Sequence, residues 1–241
     1  MLGPHGVNRV VVVDDHVLFA EALRVALRIE GYDVDRVDLD DRNLSSSQLL
    51  TRILRLRPGM VLLDLELGRG GDTTELVQPL TQAGVAVVIV TASTDRLRWG
   101  ECLRFGARTV LPKSAPLESI RDTLRLISEG RPLPGRQERE QLVAEFHHQN
   151  ARRQQIRSRL DRLSCREREV LGHLMAGRPV REIAQRSYVS EATVRTQVKS
   201  ILAKLEVTSQ LAAVGAAHET DWHPPVGLDH GDFTQMRHAA P

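Results

Sequence analysis

Between Arg9 and Ser128 short apolar runs alternate with stretches whose apolar residues recur at helical spacing. The runs are Val10–Val13, Val34–Val37, Met60–Leu63, Val85–Val90 and Thr109–Leu111. Between them Leu18, Ala22, Val25, Ala26 and Ile29 mark one amphipathic helix, and Leu49, Leu50, Ile53, Leu54 and Leu56 a second. Thr74–Ala83, Asp95–Phe105 and Pro116–Ser128 supply three more helical segments. Five strands, each followed by a helix, predict an α/β domain over residues 1–130 with a doubly wound, five-stranded parallel sheet. In such a sheet chemistry gathers at the carboxyl ends of the strands, near the point where strand order reverses.

The pattern changes after residue 130. Arg131-Pro132-Leu133-Pro134-Gly135 interrupts it, and residues 131–159 read as a polar helical linker. Leu142, Phe146, Gln149, Arg153, Ile156, Leu160 and Leu163 follow an alternating four–three spacing. That spacing fits a coiled-coil seam, or a solvated helix packed on one domain. Residues 160–218 predict a compact all-helical domain. Ser164-Cys165-Arg166-Glu167 is a capping box ahead of Val170, Leu171, Leu174 and Met175, and Gly177 stops that helix. A short helix follows over Val180–Arg186, then a turn, then a longer helix capped by Ser190 and ending near Leu205, then a last one capped at Thr208 or Ser209. Residues 219–241, with Pro224-Pro225 and scattered His and Asp, read as a disordered tail.

Composition narrows the setting. The chain has 241 residues, 41% of them hydrophobic and 27% charged, the balance of a globular protein with a core. No stretch is long and apolar enough to span a bilayer, and the N-terminus lacks the pattern of a secretory signal, so a cytoplasmic location is expected. Cys102 and Cys165 lie 63 residues apart with no metal-ligand spacing. Net charge is only +2 but unevenly spread: residues 1–130 carry −2, residues 159–218 carry +4 and residues 219–241 carry −3. A basic module near the C-terminus is therefore set to meet a polyanion. Thirty arginines stand against three lysines, which makes Lys113, Lys199 and Lys204 conspicuous.

Five polar residues close the strands: Asp14 and Asp15 the first, Asp64 the third, Thr91 the fourth and Lys113 the fifth. On a parallel sheet they converge on one edge. Carboxylates so close repel one another, and a divalent cation relieves that repulsion. Magnesium suits the site because it takes a few carboxylates and bridges phosphate oxygens. An aspartate held there is a competent nucleophile toward a phosphoryl group, with Thr91 and Lys113 placed to meet its oxygens. The two-carboxylate pattern of aspartate phosphohydrolases is absent, since Asp64-Leu65-Glu66 has glutamate in the second place; substrate turnover as an enzyme is not expected.

Asp14-Asp15-His16, Val61-Leu62-Leu63-Asp64, Val90-Thr91-Ala92-Ser93 and Leu111-Pro112-Lys113-Ser114 together resemble the receiver domain of two-component response regulators, a flavodoxin-like fold, over residues 9–128. The resemblance implies Asp64 as phosphoacceptor, Thr91 and Lys113 as switch and phosphoryl-binding residues, and Mg2+ held by Asp14, Asp15, Asp64 and the main chain of Glu66. His16 reads as structural. Two departures stand out. Val110 occupies the place, three residues before the lysine, where the family carries an aromatic switch, and Leu65–Asp72 is a glycine-rich loop where the family has a proline. They leave open an alternative in which the receiver is a phosphorylation-independent protein- or ligand-binding module.

In the helix from Glu191 to Leu205, Val194, Val198, Ile201 and Leu205 form one apolar stripe. Thr196, Lys199, Ser200 and Ala203 lie opposite, with Arg195 on the flank. A short basic, hydroxyl-bearing face on a helix that follows a short helix and a turn is what a major groove accepts. Leu163–Leu171, Glu182-Ile183-Ala184, Val189–Val194 and Leu202–Leu205 closely resemble the LuxR-type helix-turn-helix, so the whole chain resembles a NarL/FixJ-type response regulator. The resemblance implies DNA contacts from Thr193, Arg195, Thr196, Lys199, Ser200 and Lys204, and a dimer contact through Leu211 and Val214. It further implies double-stranded DNA, a sensor histidine kinase, a second copy of the chain and RNA polymerase as partners.

Overall fold

A computed structural model describes residues 8–37, 39, 45–68 and 72–224. The chain divides into two compact units, Met1–His148 and Gln149–Pro241.

The first unit alternates strand and helix: β1 (Arg9–Val13), α1 (Val17–Ile29), β2 (Asp33–Arg36), α2 (Ser46–Arg55), β3 (Met60–Leu63), α3 (Thr74–Gln82), β4 (Ala86–Thr91), α4 (Arg96–Arg104), β5 (Thr109–Pro112) and α5 (Leu117–Ser128). All five strands pair parallel in the order β2-β1-β3-β4-β5. The order reverses at β1, so β1 and β3 part there and their carboxyl ends open a crevice. Side chains alternate across the sheet. Val11, Val13, Val61, Leu63, Val87 and Ile89 meet α2, α3 and α4 in one core layer. Val10, Val12, Met60, Leu62, Val88 and Val90 meet α1 and α5 in the other. Both faces are covered, which is why the strands read as unbroken apolar runs.

Helix α1 turns a different face inward from the one its apolar spacing predicts. Ala20, Leu23 and Leu27 are its buried residues, with Phe19 against the same layer. Leu18 is 87% exposed and Ile29 80%, and Ala22 and Val25 are exposed between them. The helix is apolar on two sides, and only packing against the sheet selects between them.

Helix α6 (Arg136–Asp161) starts in the first unit and ends in the second. Its four–three positions serve the two cores separately. Leu142, with Val143 beside it, packs in the layer of α2–α4, while Ile156, Leu160 and Leu163 join the core of the second unit; Gln149 and Arg153, between them, are not buried. The coiled-coil seam is thus replaced by two intramolecular contacts. The second unit continues with α7 (Cys165–Met175), α8 (Val180–Arg186), α9 (Glu191–Leu205) and α10 (Gln210–Glu219). The Ser164–Glu167 capping box forms, and Ser190 and Ser209 cap α9 and α10 by accepting from Thr193 N and Ala212 N. The chain beyond α10 begins differently from the disordered tail predicted from residue 219. Glu219 ends the helix, Thr220 is buried and Trp222 packs on the second core, an anchor no polar tail has. Residues 225–241 lie outside the described residues.

Candidate functional site: an acidic strand-end pocket and an exposed helix face

Main-chain register builds the pocket. Val13 pairs with Leu63, and Asp64 N donates to Val13 O at 2.9 Å, which sets Asp14 beside Asp64. Thr91 pairs with Pro112, and Lys113 N donates to Thr91 O at 2.8 Å, which sets Lys113 beside the threonine. Asp14, Asp64 and Thr91 are buried. Asp14, Asp15, His16 and Asp64 bring ligand atoms within 4.8 Å of one another. The Lys113 ammonium reaches into this cluster and donates to Asp14 Oδ1 at 2.9 Å and Asp64 Oδ2 at 2.7 Å. Burial opposes its charge, and the hydrogen bonds to the two aspartates outweigh burial, so its pKa lies above the ordinary lysine value. Its charge also lies 5.2 Å from the centre of the Phe19 ring. Three carboxylates against one ammonium leave an excess of negative charge, and the donor set is all-oxygen apart from His16, which fits a hard divalent cation.

On α9 the stripe of Val194, Val198, Ile201 and Leu205 is buried, while Thr193, Arg195, Thr196 and Lys199 are exposed. Arg195 pairs with Glu191 one turn earlier at 3.0 Å, and the Thr196 hydroxyl donates to Ala192 O at 3.0 Å. Lys199 has no ion pair among the described residues.

Residues 10–125 match the response regulator receiver domain family and residues 161–217 the luxR family of bacterial regulatory proteins. The probable transcriptional regulatory protein NarL of Mycobacterium tuberculosis is 30% identical over 210 residues, 87% of this chain and 93% of that protein. The chain belongs to the response regulator family. It is a DNA-binding transcriptional response regulator with a receiver and a LuxR-type helix-turn-helix domain. The transcriptional regulatory protein DesR of Bacillus subtilis is 23% identical over 88% of this chain and 98% of its own length. Among solved structures, the response regulator ChrA of a heme-sensing two-component system is 26% identical, covering 89% of this chain and 98% of its own, with a TM-score of 0.40.

The side chains of three expected residues are engaged by other groups, which for Glu66 leaves the expected role of its main-chain carbonyl untouched. The Glu66 carboxylate turns away from the aspartates to Arg98 of α4 at 2.9 Å; the same guanidinium holds Asp72 at 2.8 Å and Leu65 O at 3.1 Å. Ser200 and Lys204 turn inward to α7. The Ser200 hydroxyl donates to Glu167 Oε1 at 2.7 Å and the Lys204 ammonium to Glu167 Oε2 at 2.6 Å. Both flank the buried stripe, and a buried carboxylate on the facing helix draws them in. Val214 is half-buried against the second core, whereas Leu211 is 82% exposed.

Other residues of the regulator join its sites without having been predicted. His16 Nδ1 lies 2.9 Å from Asp15 Oδ1 and 3.2 Å from Lys113 Nζ, so it lines the pocket rim. The Thr73 hydroxyl donates to Asp64 O and fixes the main chain of the strand end. Gly68, at φ +42°, approaches so closely that a Cβ there would lie 2.7 Å from Asp15 Oδ2. Glycine at a pocket rim was the one available signal. Tyr188, 96% exposed in the turn between α8 and α9, adds an aromatic surface residue beside the exposed helix. Among the described residues no helix is long and apolar enough to cross a membrane.

Proposed function

We infer that Asp64 accepts a phosphoryl group from a sensor histidine kinase and that the phosphorylated regulator binds double-stranded DNA as a dimer, acting on RNA polymerase there. The observation that carries this reading is the Lys113 ammonium set between Asp14 and Asp64 at the mouth of the parallel sheet. An Asp64 carboxylate oxygen attacks phosphorus; the new O–P bond forms as the P–N bond to the kinase imidazole breaks, and the imidazole departs with a proton. Lys113 then exchanges a carboxylate oxygen for a phosphoryl oxygen. The Thr91 hydroxyl accepts from Ser93 N at 3.1 Å, which leaves its own proton for a second phosphoryl oxygen. Mg2+ would be held by Asp14, Asp15 and Asp64, with the main-chain carbonyl of Glu66 completing the set, and would supply charge neutralisation of the phosphoryl oxygens.

Arg195 and Lys199 are the cations on the exposed face of α9, and Thr193 and Thr196 its hydroxyls, which suits phosphate contacts and base-edge reading respectively. One recognition helix reads few bases, so two copies on half-sites about one helical turn, roughly 34 Å, apart give usable specificity. Leu211 is the apolar side chain that α10 offers to such a pairing. The test is incubation with acetyl phosphate and magnesium followed by intact-mass measurement. The wild type gains one phosphoryl group and Asp64→Asn gains none; an unlabelled wild type, or equal labelling of both, sinks the assignment.

A further inference from the structure

Near the far edge of the sheet, away from the acidic pocket, the first unit has a cavity of about 420 Å³ that is open to solvent. Trp99 and Leu103 of α4, Val110 of β5 and Leu142 of α6 make its apolar wall, and Arg108 and Arg139 stand at its polar end. The volume falls among those of small-molecule sites, as does the combination of an apolar wall with a few polar groups at one end. It exists because Val110 is small where the strand faces α6, and because α6 is held close to α4. A Cβ on Gly100 would lie 2.3 Å from Leu142 O, so only glycine lets the two backbones approach in this way. The indole is fixed as well, its Nε1 donating to Ser93 O at 3.1 Å.

The charges at the polar end are unbalanced. Arg139 donates to three main-chain carbonyls, Ala107 O at 2.6 Å, Arg108 O at 3.1 Å and Leu103 O at 3.0 Å, all neutral acceptors. Burial first, and the neighbouring Arg108 second, hold its pKa below the usual arginine value. Neither Arg108 nor Arg139 has a carboxylate within ion-pair distance among the described residues. Of the other charges lining the cavity, Arg136 is paired with Glu140 at 2.8 Å, and Glu138 is exposed, its charge acting on Arg96. Two mutually repelling cations thus stand beside an apolar wall with carbonyl acceptors but no carboxylate at ion-pair distance.

We propose that this cavity binds a small amphipathic organic acid, its apolar body against Trp99, Val110 and Leu142 and its acid group between Arg108 and Arg139. The site stands whether or not Asp64 is phosphorylated. Such a ligand would touch β5, the strand that leads into Lys113, and α6, the helix that continues into the second unit.

The probe is 8-anilinonaphthalene-1-sulfonate, titrated into the full chain carrying Trp222→Phe, which leaves Trp99 as the sole tryptophan. Saturable binding with energy transfer from Trp99 is expected. Arg108→Gln, an exposed residue, should weaken that binding several-fold while leaving the uncharged analogue N-phenyl-1-naphthylamine unaffected. Val110→Phe should fill the cavity and remove the transfer for both probes. Melting curves and acetyl-phosphate labelling of each variant report that the first unit is folded. Absence of transfer in the parent, equal affinity for the charged and uncharged probes, or transfer that survives Val110→Phe in a folded variant would overturn the proposal.

Discussion

Lys113 and Asp64 close the pocket from opposite sides of β4, the ammonium lying 2.7 Å from Asp64 Oδ2 and 2.8 Å from Asp14 Oδ2. Both aspartates are almost wholly buried, so the lysine is what balances them in the absence of a cation. Removing one partner of a buried ion pair costs about 3–5 kcal/mol because the other charge is left unpaired. Lys113→Met should therefore melt well below the wild type in a chelating buffer, and magnesium should recover much of the loss by taking over the neutralisation. Thermal melts with and without magnesium check this. A variant that melts like the wild type without the cation would show that the lysine does not hold the carboxylates.

The second unit has a carboxylate whose ionisation supports its fold. Burial works against the charged Glu167, but Lys204, Ser200 and the Ser164 cap overcome it and bring its pKa down to about 2. A carboxyl lowered from its ordinary value of 4.5 stabilises the fold above that value and loses the contribution as pH falls toward 2. The full shift corresponds to on the order of 3 kcal/mol. Stability of the second unit should fall between about pH 4.5 and pH 2, and Glu167→Gln should flatten that part of the profile. Acid titration of the melting temperature measures it.

How far these features were legible in the sequence depends on the range of the interaction. The five strands and the residues that close them were readable because parallel register carries Asp14, Asp64, Thr91 and Lys113 to one edge whatever the details of packing. The buried face of α1 was not. Leu18, Ala22, Val25 and Ile29 keep helical spacing as well as Ala20, Leu23 and Leu27 do, and no local signal says which set meets the sheet. The turn of Glu66 to Arg98 and the inward turns of Ser200 and Lys204 depend on partners 32 to 37 residues away in sequence, beyond any pattern of spacing.

That difference separates two lysines of the same helix. Lys199 is exposed and unpaired among the described residues, so Lys199→Ala should weaken DNA binding and lower the salt slope of log affinity by about one if it meets a phosphate. Lys204 holds Glu167, so Lys204→Met should lower the melting temperature of the second unit and leave the salt slope nearly unchanged. Titrations of DNA at several salt concentrations, with melts of each variant, distinguish the roles.

At the pocket rim, Asp15 is exposed enough to meet a cation and is hemmed in by Gly68. Asp15→Asn should abolish acetyl-phosphate labelling without unfolding the chain. Gly68→Ala places a methyl group against Asp15 at a positive φ of 42° and should raise the magnesium concentration needed for half-maximal labelling. Labelling of both variants at wild-type magnesium would remove Asp15 from the cation site.

The last prediction concerns coupling between phosphorylation and DNA binding. A phosphoryl group shifts an equilibrium only through groups that contact it differently in two arrangements, and at this pocket those are Thr91 and Lys113. Val110, on the same strand as the residues leading to Lys113, is half-buried against the layer of α2–α4 and carries no ring to move between an inward and an outward position. The phosphoryl signal therefore has one reader fewer with which to favour the active arrangement. Dimer formation and DNA binding should be measurable before phosphorylation, and acetyl phosphate should increase both by a modest factor. Sedimentation velocity and titration of a DNA site selected from random sequences, each with and without the phosphoryl donor, give the two numbers needed. A strictly monomeric, DNA-silent protein that switches on fully with phosphate would mean that a group other than an aromatic at this position carries the signal.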